Sequence, residues 1–221
     1  MKQIIKTKEP RSLTTYRASI SKKDLSSLEK FDTAPSKVKD ELREQLLQEQ
    51  GFICCYCMNR VEFRNSKIEH FNPRSLFREE QLDYHNLFIA CLGGEGHTSN
   101  KQSCDTKKGN NQLKHINLLS DIEKSIEYKK DGFIYSNNSD IDNELNQILN
   151  LNHKLLKNNR KEALNQLLID LKKRGWNIST LKSNLEKYKH KNSKGKYRPY
   201  CEMIVYFLTK KLKQKQGAIK K

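Results

Sequence analysis

Two side chains able to exchange a proton stand next to each other in "KIEHFNPRS", Lys67 to Ser75. Glu69 is an acid and His70 a histidine, and histidine is neutral near pH 7 and able to take a proton from water. About fifteen residues further on comes Asn86 in "DYHNLFIAC", and then Asp105 and Lys108 in "CDTKKG". Asp105 offers an oxygen ligand to a hard cation such as Mg²⁺ or Mn²⁺. Lys108, three residues later on the same helical face, is suited to neutralising a phosphate, as are its neighbour Lys107 and Arg74, the last with bidentate geometry. Asn86 is suited to bonding backbone groups across the connecting loop and so orienting His70. A base, a cation ligand and phosphate-binding cations are groups that phosphodiester hydrolysis needs.

A second constellation is interleaved with the first. Cys54 and Cys57 form C-x-x-C in "CCYC", and Cys91 and Cys104 follow downstream. Four thiolates suit tetrahedral zinc, and a C-x-x-C turn lets two of them face one ion. Such a site replaces a core that a short β-rich module cannot build for itself. Cys55 makes only the poorer C-x-C with Cys57 and is assigned to packing, as is Cys201 on an apolar helix stripe. His97, in the loop between Cys91 and Cys104, is the alternative fourth ligand.

The ordered set of acid-His, Asn and a ligand opening a helix resembles the HNH, or ββα-metal, nucleases, whose zinc-knuckle versions interleave four cysteines in the same way. The resemblance implies an α+β fold: a zinc-bound ββα-metal core embedded in a mostly helical protein. It implies His70 as general base, with Glu69 and Asp105 holding a catalytic Mg²⁺ or Mn²⁺. Neighbouring side chains on a strand point to opposite faces, so a bend or bulge is expected where Glu69 joins His70. Many family members carry Asn or His where this chain has Asp105.

The segments "KEPRSLTTYR", "LREQLLQEQGFICCYC" and "ILNLNHKLLKNNRKEAL" extend the resemblance to a narrower group, the HNH component PtuB of Septu anti-phage systems and the HNH effectors linked to retrons. For that group the implied partner is PtuA, an ATPase similar to ABC and SMC-type enzymes, and the implied substrate is DNA. The site chemistry by itself does not forbid RNA. A catalytically silent zinc module that binds nucleic acid or a protein is the alternative reading.

The elements that must position these residues are legible in outline. "APSKVKDELREQLLQEQG" reads as a helix with Ser36 as N-cap, a stripe of Val38, Leu42, Leu46 and Leu47, and Gly51 as the stop. "FICCYCMNRVEF" reads as a β-rich pair around a cysteine turn, and "SKIEHFNPRS" as a strand. "LFREEQLDYHNLFIACL" reads as a loop and short helix, and "CDTKKGN" as a helix start. Beyond residue 115 the pattern is mostly helical, with a small hairpin or turn at "DGFIYSNNSDID" and a break near Leu151. "STLKSNLEKYKHK" is capped by Ser179 or Thr180. This divides the chain into an N-terminal arm and helix (1–50), a nuclease core (51–115) and a basic helical region (116–221).

Of the 221 residues, those from Lys154 to Lys221 contain 20 Lys and Arg against 4 Asp and Glu, whereas the first 153 are nearly balanced. A polyanionic partner fits that asymmetry. The basic linker with Lys191, Lys194, Lys196 and Arg198, and the last helix with its stripe of Ile204, Phe207, Leu208 and Leu212, are the expected contacts with nucleic acid or a protein partner. No apolar run approaches the ~20 residues needed to span a bilayer, and the first residues lack an apolar signal core. A cytoplasmic protein with reduced cysteines is expected.

Overall fold

The structure, a computed structural model, describes residues 1–20 and 30–219. It is a mixed helical protein with two small sheets. The helices are α1 (Arg11–Ser19), α2 (Ser36–Glu49), α3 (Cys104–Lys108), α4 (Ser139–Asn143), α5 (Lys154–Arg174), α6 (Ile178–Lys189) and α7 (Cys201–Ile219). Strands β1 (Ser66–His70) and β2 (Leu87–Cys91) form one antiparallel pair, and β3 (Glu127–Tyr128) and β4 (Ile134–Tyr135) the other. Among the described residues no helix is long and apolar enough to cross a membrane.

Helix α2 buries the expected stripe of Val38, Leu42, Leu46 and Leu47. Its start differs by one position: Ser36 is the first helical residue, after Pro35, because the fixed φ of proline presets the entry. The first ten residues run as an arm. Ile4 donates its N–H to Leu118 O, and Lys6 Nζ reaches Leu87 O and pairs with Glu49. Beyond Pro10 the chain becomes α1, a helix that the mixed composition of "RSLTTYRAS" conceals; only Leu13 is buried on it.

The knuckle segment is less regular than a hairpin. Its pairing is a single bridge, Ile53 to Arg60, because the backbone of the turn is committed elsewhere. Cys55 N–H donates to Ile89 O, and buried Gln50 donates to Ile53 O and Ile89 O while accepting from Ile89 N–H. Gln50 thus ties the end of α2 to both the turn and β2.

In the C-terminal half the helical pattern breaks where expected, between a π-helical turn at Glu144–Ile148 that continues α4 and the start of α5. Helix α6 is capped by Asn177, whose side chain accepts from Thr180 N–H, not by Ser179 or Thr180. The last-helix stripe is internal. Ile204 and Leu208 are fully buried and Leu212 nearly so, and α7 packs mainly on α6. The basic linker is also engaged within the chain. Lys191 Nζ donates to Gln48 O and Glu49 O at the end of α2, Lys196 lies over the Phe52 ring, and Arg198 donates to Lys187 O. Three of the four linker cations thus also have partners within the chain, while Lys194 is exposed and Phe207 of the stripe is half-buried.

Arg160 on α5 is 1% exposed, and its partners are uncharged oxygens. Its Nε donates to Gly132 O at 2.6 Å and its Nη2 to Leu151 O at 2.7 Å and Asn152 Oδ1 at 3.2 Å. Gly132 is held at φ +87°, and a Cβ there would lie 2.1 Å from Lys157 O. The guanidinium therefore joins the β3–β4 turn to the break before α5. Arg160→Ala is expected to lower unfolding free energy by about 3 kcal/mol, because buried carbonyls are left unpaired. Urea denaturation measures it, and a loss under about 0.5 kcal/mol, the range of ordinary surface changes, would show that the staple carries no stability.

Candidate metal centre and acid-histidine site

Four sulfur atoms, of Cys54, Cys57, Cys91 and Cys104, lie within 4.8 Å of one another and could hold a metal such as zinc. Cys57 and Cys91 are 3.7 Å apart. The turn delivers the first two, the end of β2 the third and the first residue of α3 the fourth. Burial opposes ionisation of Cys54, but hydrogen bonds from Cys104, Cys55, Cys57 and Cys91 hold it well below the usual thiol range. The Cys104 bond, the strongest influence on Cys57, pulls its thiol down, but contacts with Cys54 and Cys91 and burial together push it well above the usual range. Cys104 is pushed well up by its contacts with Cys54, Cys57 and Cys91 and then by burial. Four thiols this crowded cannot all become anions unless a cation joins them. His97 is exposed and lies outside the cluster, and Cys55 and Cys201 are buried outside it.

The fourth cysteine is held in a demanding conformation. Cys104 has φ +57°, a left-handed value unusual for a residue with a side chain. Leu149 O accepts its N–H at 2.9 Å. The chain just before it is pinned by Ser103 N–H to Gly93 O, where a Cβ on Gly93 would sit 2.1 Å from Ser103 O. The next residue is Asp105. One helix start therefore sets both a sulfur of the cluster and a carboxylate of the neighbouring site.

That site is built on β1. The strand pairs with β2 in unbroken register, Glu69 opposite Phe88 and His70 opposite Leu87. The expected bend or bulge is absent, because the acid reaches its partners by burial on its own face. Glu69 is 2% exposed. Its Oε1 accepts from Tyr56 OH at 2.7 Å and meets Lys108 Nζ at 2.7 Å. Burial, and then the bond and charge of Asp105, push its carboxyl well above the usual range, against the pull of Lys108. Asp105 is partly open to solvent and faces Lys67 Nζ at 3.8 Å, which also pairs with Glu95.

His70 occupies the other face. Its ring packs edge-on against Phe31 at 4.5 Å, and its Nε2 lies 2.9 Å from Gln81 O. A carbonyl oxygen can only accept, so Nε2 carries the proton and Nδ1 keeps its lone pair. Burial holds the imidazole down to about 4, so the ring is neutral near pH 7. Asn86, 4% exposed, accepts from Asn72 N–H through Oδ1 and donates through Nδ2 to Asn72 O and Glu80 O. Its side chain closes the loop that carries Gln81 to His70.

The three basic residues expected at a phosphate are placed differently. Lys108 is 1% exposed, and its ammonium donates to His70 O at 3.0 Å as well as pairing with Glu69. It faces inward because two buried acceptors on β1 need a cation. Arg74 pairs with Asp32 at 2.8 Å beside the Phe31 ring, and Lys107 donates to Ser99 Oγ. Two contributors escape detection by residue type and spacing. Tyr56 is readable afterwards as the residue just before the second cysteine of the C-x-x-C turn, which aims its phenol at Glu69. Gln81 acts through its backbone oxygen, and nothing in its side-chain type marks it.

No protein-family model matches the chain, and no curated protein matches it.

Proposed function

We propose that the chain is a metal-dependent endonuclease of the HNH, or ββα-metal, type, with β1, β2 and α3 as its core and the four cysteines as a structural zinc knuckle. The observation that carries this reading is the buried acid Glu69, held by Tyr56 and Lys108 and influenced by nearby Asp105, next in the strand to a neutral His70 whose Nε2 is committed to Gln81 O. Two neighbouring carboxyl groups, one of them pushed toward its protonated form, fit a hard divalent cation. A bound Mg²⁺ or Mn²⁺ would polarise a phosphate and stabilise the departing 3′ oxygen. His70 accepts the proton of the attacking water at Nδ1 and is held for it by Gln81 O. Asn86 fixes the loop behind that bond. Tyr56 and Lys108 hold Glu69, and Lys108 also holds the His70 backbone, so the acid and the base cannot drift apart.

DNA is the preferred substrate. The resemblance to the HNH components of Septu systems and to retron-linked effectors supports a role in anti-phage defence with an ABC- or SMC-like ATPase as partner. One observation favours a silent zinc module instead: Lys108 already neutralises Glu69. Supercoiled plasmid separates the two. The zinc-loaded protein should nick or linearise it with Mg²⁺ or Mn²⁺ and leave it intact without them; no cleavage with either cation defeats the nuclease reading. Asp105→Ala should raise the metal concentration for half-maximal rate at least tenfold, since outer-shell partners alone are worth about 10–100-fold in metal affinity.

A further inference from the structure

Basic charge also gathers away from the linker, beside α7, on its face turned toward the β3–β4 hairpin. A groove of about 430 Å³ runs there, with Leu164 and Met203 in its floor and Lys129, Lys130, Lys210 and Lys211 along it. A second groove of about 530 Å³ shares Lys130, Phe207 and Lys211 with the first and continues past Trp176 to Lys172. No acidic residue lines either one. Glu127, on the adjoining strand β3, is occupied by Tyr206 OH at 2.7 Å, Tyr135 OH at 3.1 Å and Asn137.

Cations and rings are interleaved along this channel. Lys129 Nζ lies 5.1 Å from the Phe133 ring centre and 5.5 Å from that of Tyr135; Lys210 is 5.3 Å from Tyr206 and Lys211 6.0 Å from Phe207. Trp176 and Phe207 meet edge to face at 6.4 Å, and both are half-buried, so part of each ring remains open. Lysines along a groove attract phosphates, although Lys210 also borders a groove with Glu123 and Glu202, and half-open rings accept the faces of bases. A duplex offers its phosphates but keeps its base faces stacked inside, so it can satisfy only the first of these features. An acidic helix would satisfy the lysines and the apolar floor but has no use for a run of aromatic faces.

We propose that this channel binds single-stranded nucleic acid, with bases on Tyr206, Phe207 and Trp176 and phosphates on Lys129, Lys130, Lys210 and Lys211. The proposal goes beyond the nuclease reading and requires no cleavage chemistry. It is tested with the zinc-loaded full-length protein in buffer without Mg²⁺ or Mn²⁺. The probes are fluorescein-labelled oligo-dT of about 16 nucleotides, within the size range of single-strand sites, a duplex of equal length, and polyglutamate. Oligo-dT should bind more tightly than duplex or polyglutamate, and it should quench Trp176, the chain's one tryptophan. The triple variant Lys129→Gln, Lys210→Gln, Lys211→Gln should bind at least about tenfold more weakly. Its salt slope should fall by about 2, at ~0.7 for each single-strand phosphate no longer neutralised. Trp176→Leu should bind about tenfold more weakly with the slope unchanged, as removal of a stacking ring predicts. Melting temperatures and zinc content within the wild-type range confirm that each variant is folded. Oligo-dT binding without quenching, unchanged affinity in the folded triple variant, or duplex binding as tight as the single strand would each overturn the proposal. Lysine-dependent binding of polyglutamate alone would overturn it in favour of an acidic polypeptide.

Discussion

His70→Ala should reduce plasmid cleavage by about 10²–10⁴-fold, the usual cost of losing a general base. The expectation rests on the surroundings of the ring. Its Nε2 is committed to Gln81 O, so the remaining acceptor is Nδ1, and burial keeps the imidazole neutral near pH 7. Truncation also removes a ring packed on Phe31, so some stability should be lost with the activity. His70→Asn separates the two effects, because it keeps more of the volume and cannot serve as a comparable base. Both variants should retain zinc and bind plasmid, while neither cuts at an appreciable rate. A folded, zinc-loaded His70→Ala protein cutting at the wild-type rate would remove His70 from the mechanism altogether.

Loss of the four-sulfur site should have the widest consequences. The protein should hold about one zinc per chain, and Cys57→Ser should lose it. Apparent zinc-binding free energies in small zinc-folded modules are about 10–16 kcal/mol. That is as large as the whole stability of a typical domain, so the segment from the C-x-x-C turn to α3 should not keep its structure without the ion. Cleavage should fall with it, because Tyr56 leaves the same turn to reach Glu69 and Asp105 follows Cys104 directly. Metal analysis by mass spectrometry and thermal melting followed by circular dichroism measure both effects. Wild-type zinc content in all four single Cys→Ser variants would exclude the cluster as a zinc site.

The parts of this molecule readable from its sequence are those whose signal is local. The stripe of α2, the strand at Glu69 and His70 and the break before α5 follow from spacing and β-propensity within a dozen positions, whereas "DGFIYSNNSDID" holds only β4, its partner β3 lying before it and α4 beginning at Ser139. The selection of Cys54, Cys57, Cys91 and Cys104 over Cys55, Cys201 and His97 also follows from ligand chemistry, since a tetrahedral cation needs a particular turn and not merely thiols nearby. Strand β2 is hidden because "LFIAC" is short and apolar throughout, and periodicity cannot tell a buried strand from a buried helical turn. Helix α1 is hidden because it buries a single residue, Leu13, and so has almost no stripe to detect.

Residue types and order along the chain are sufficient for the chemistry on offer: a base, acids that fit a hard cation, four thiols for zinc and a basic C-terminal half. Which charges remain available is decided only when the chain packs. Lys108 turns inward because Glu69 and the His70 carbonyl, both buried, need a cation, and Lys191 is taken by the end of α2. The stripe of α7 goes to α6, while Lys129, Lys130, Lys210 and Lys211 are left along an aromatic channel. The physical reason is that a charge is assigned by what it meets across long sequence separations. Lys108 meets acceptors 38 and 39 positions away, and Lys191 meets acceptors more than 140 positions away. Burying an unpaired polar group costs more than a surface contact returns, so the interior claims its counterions first and the surface keeps what remains.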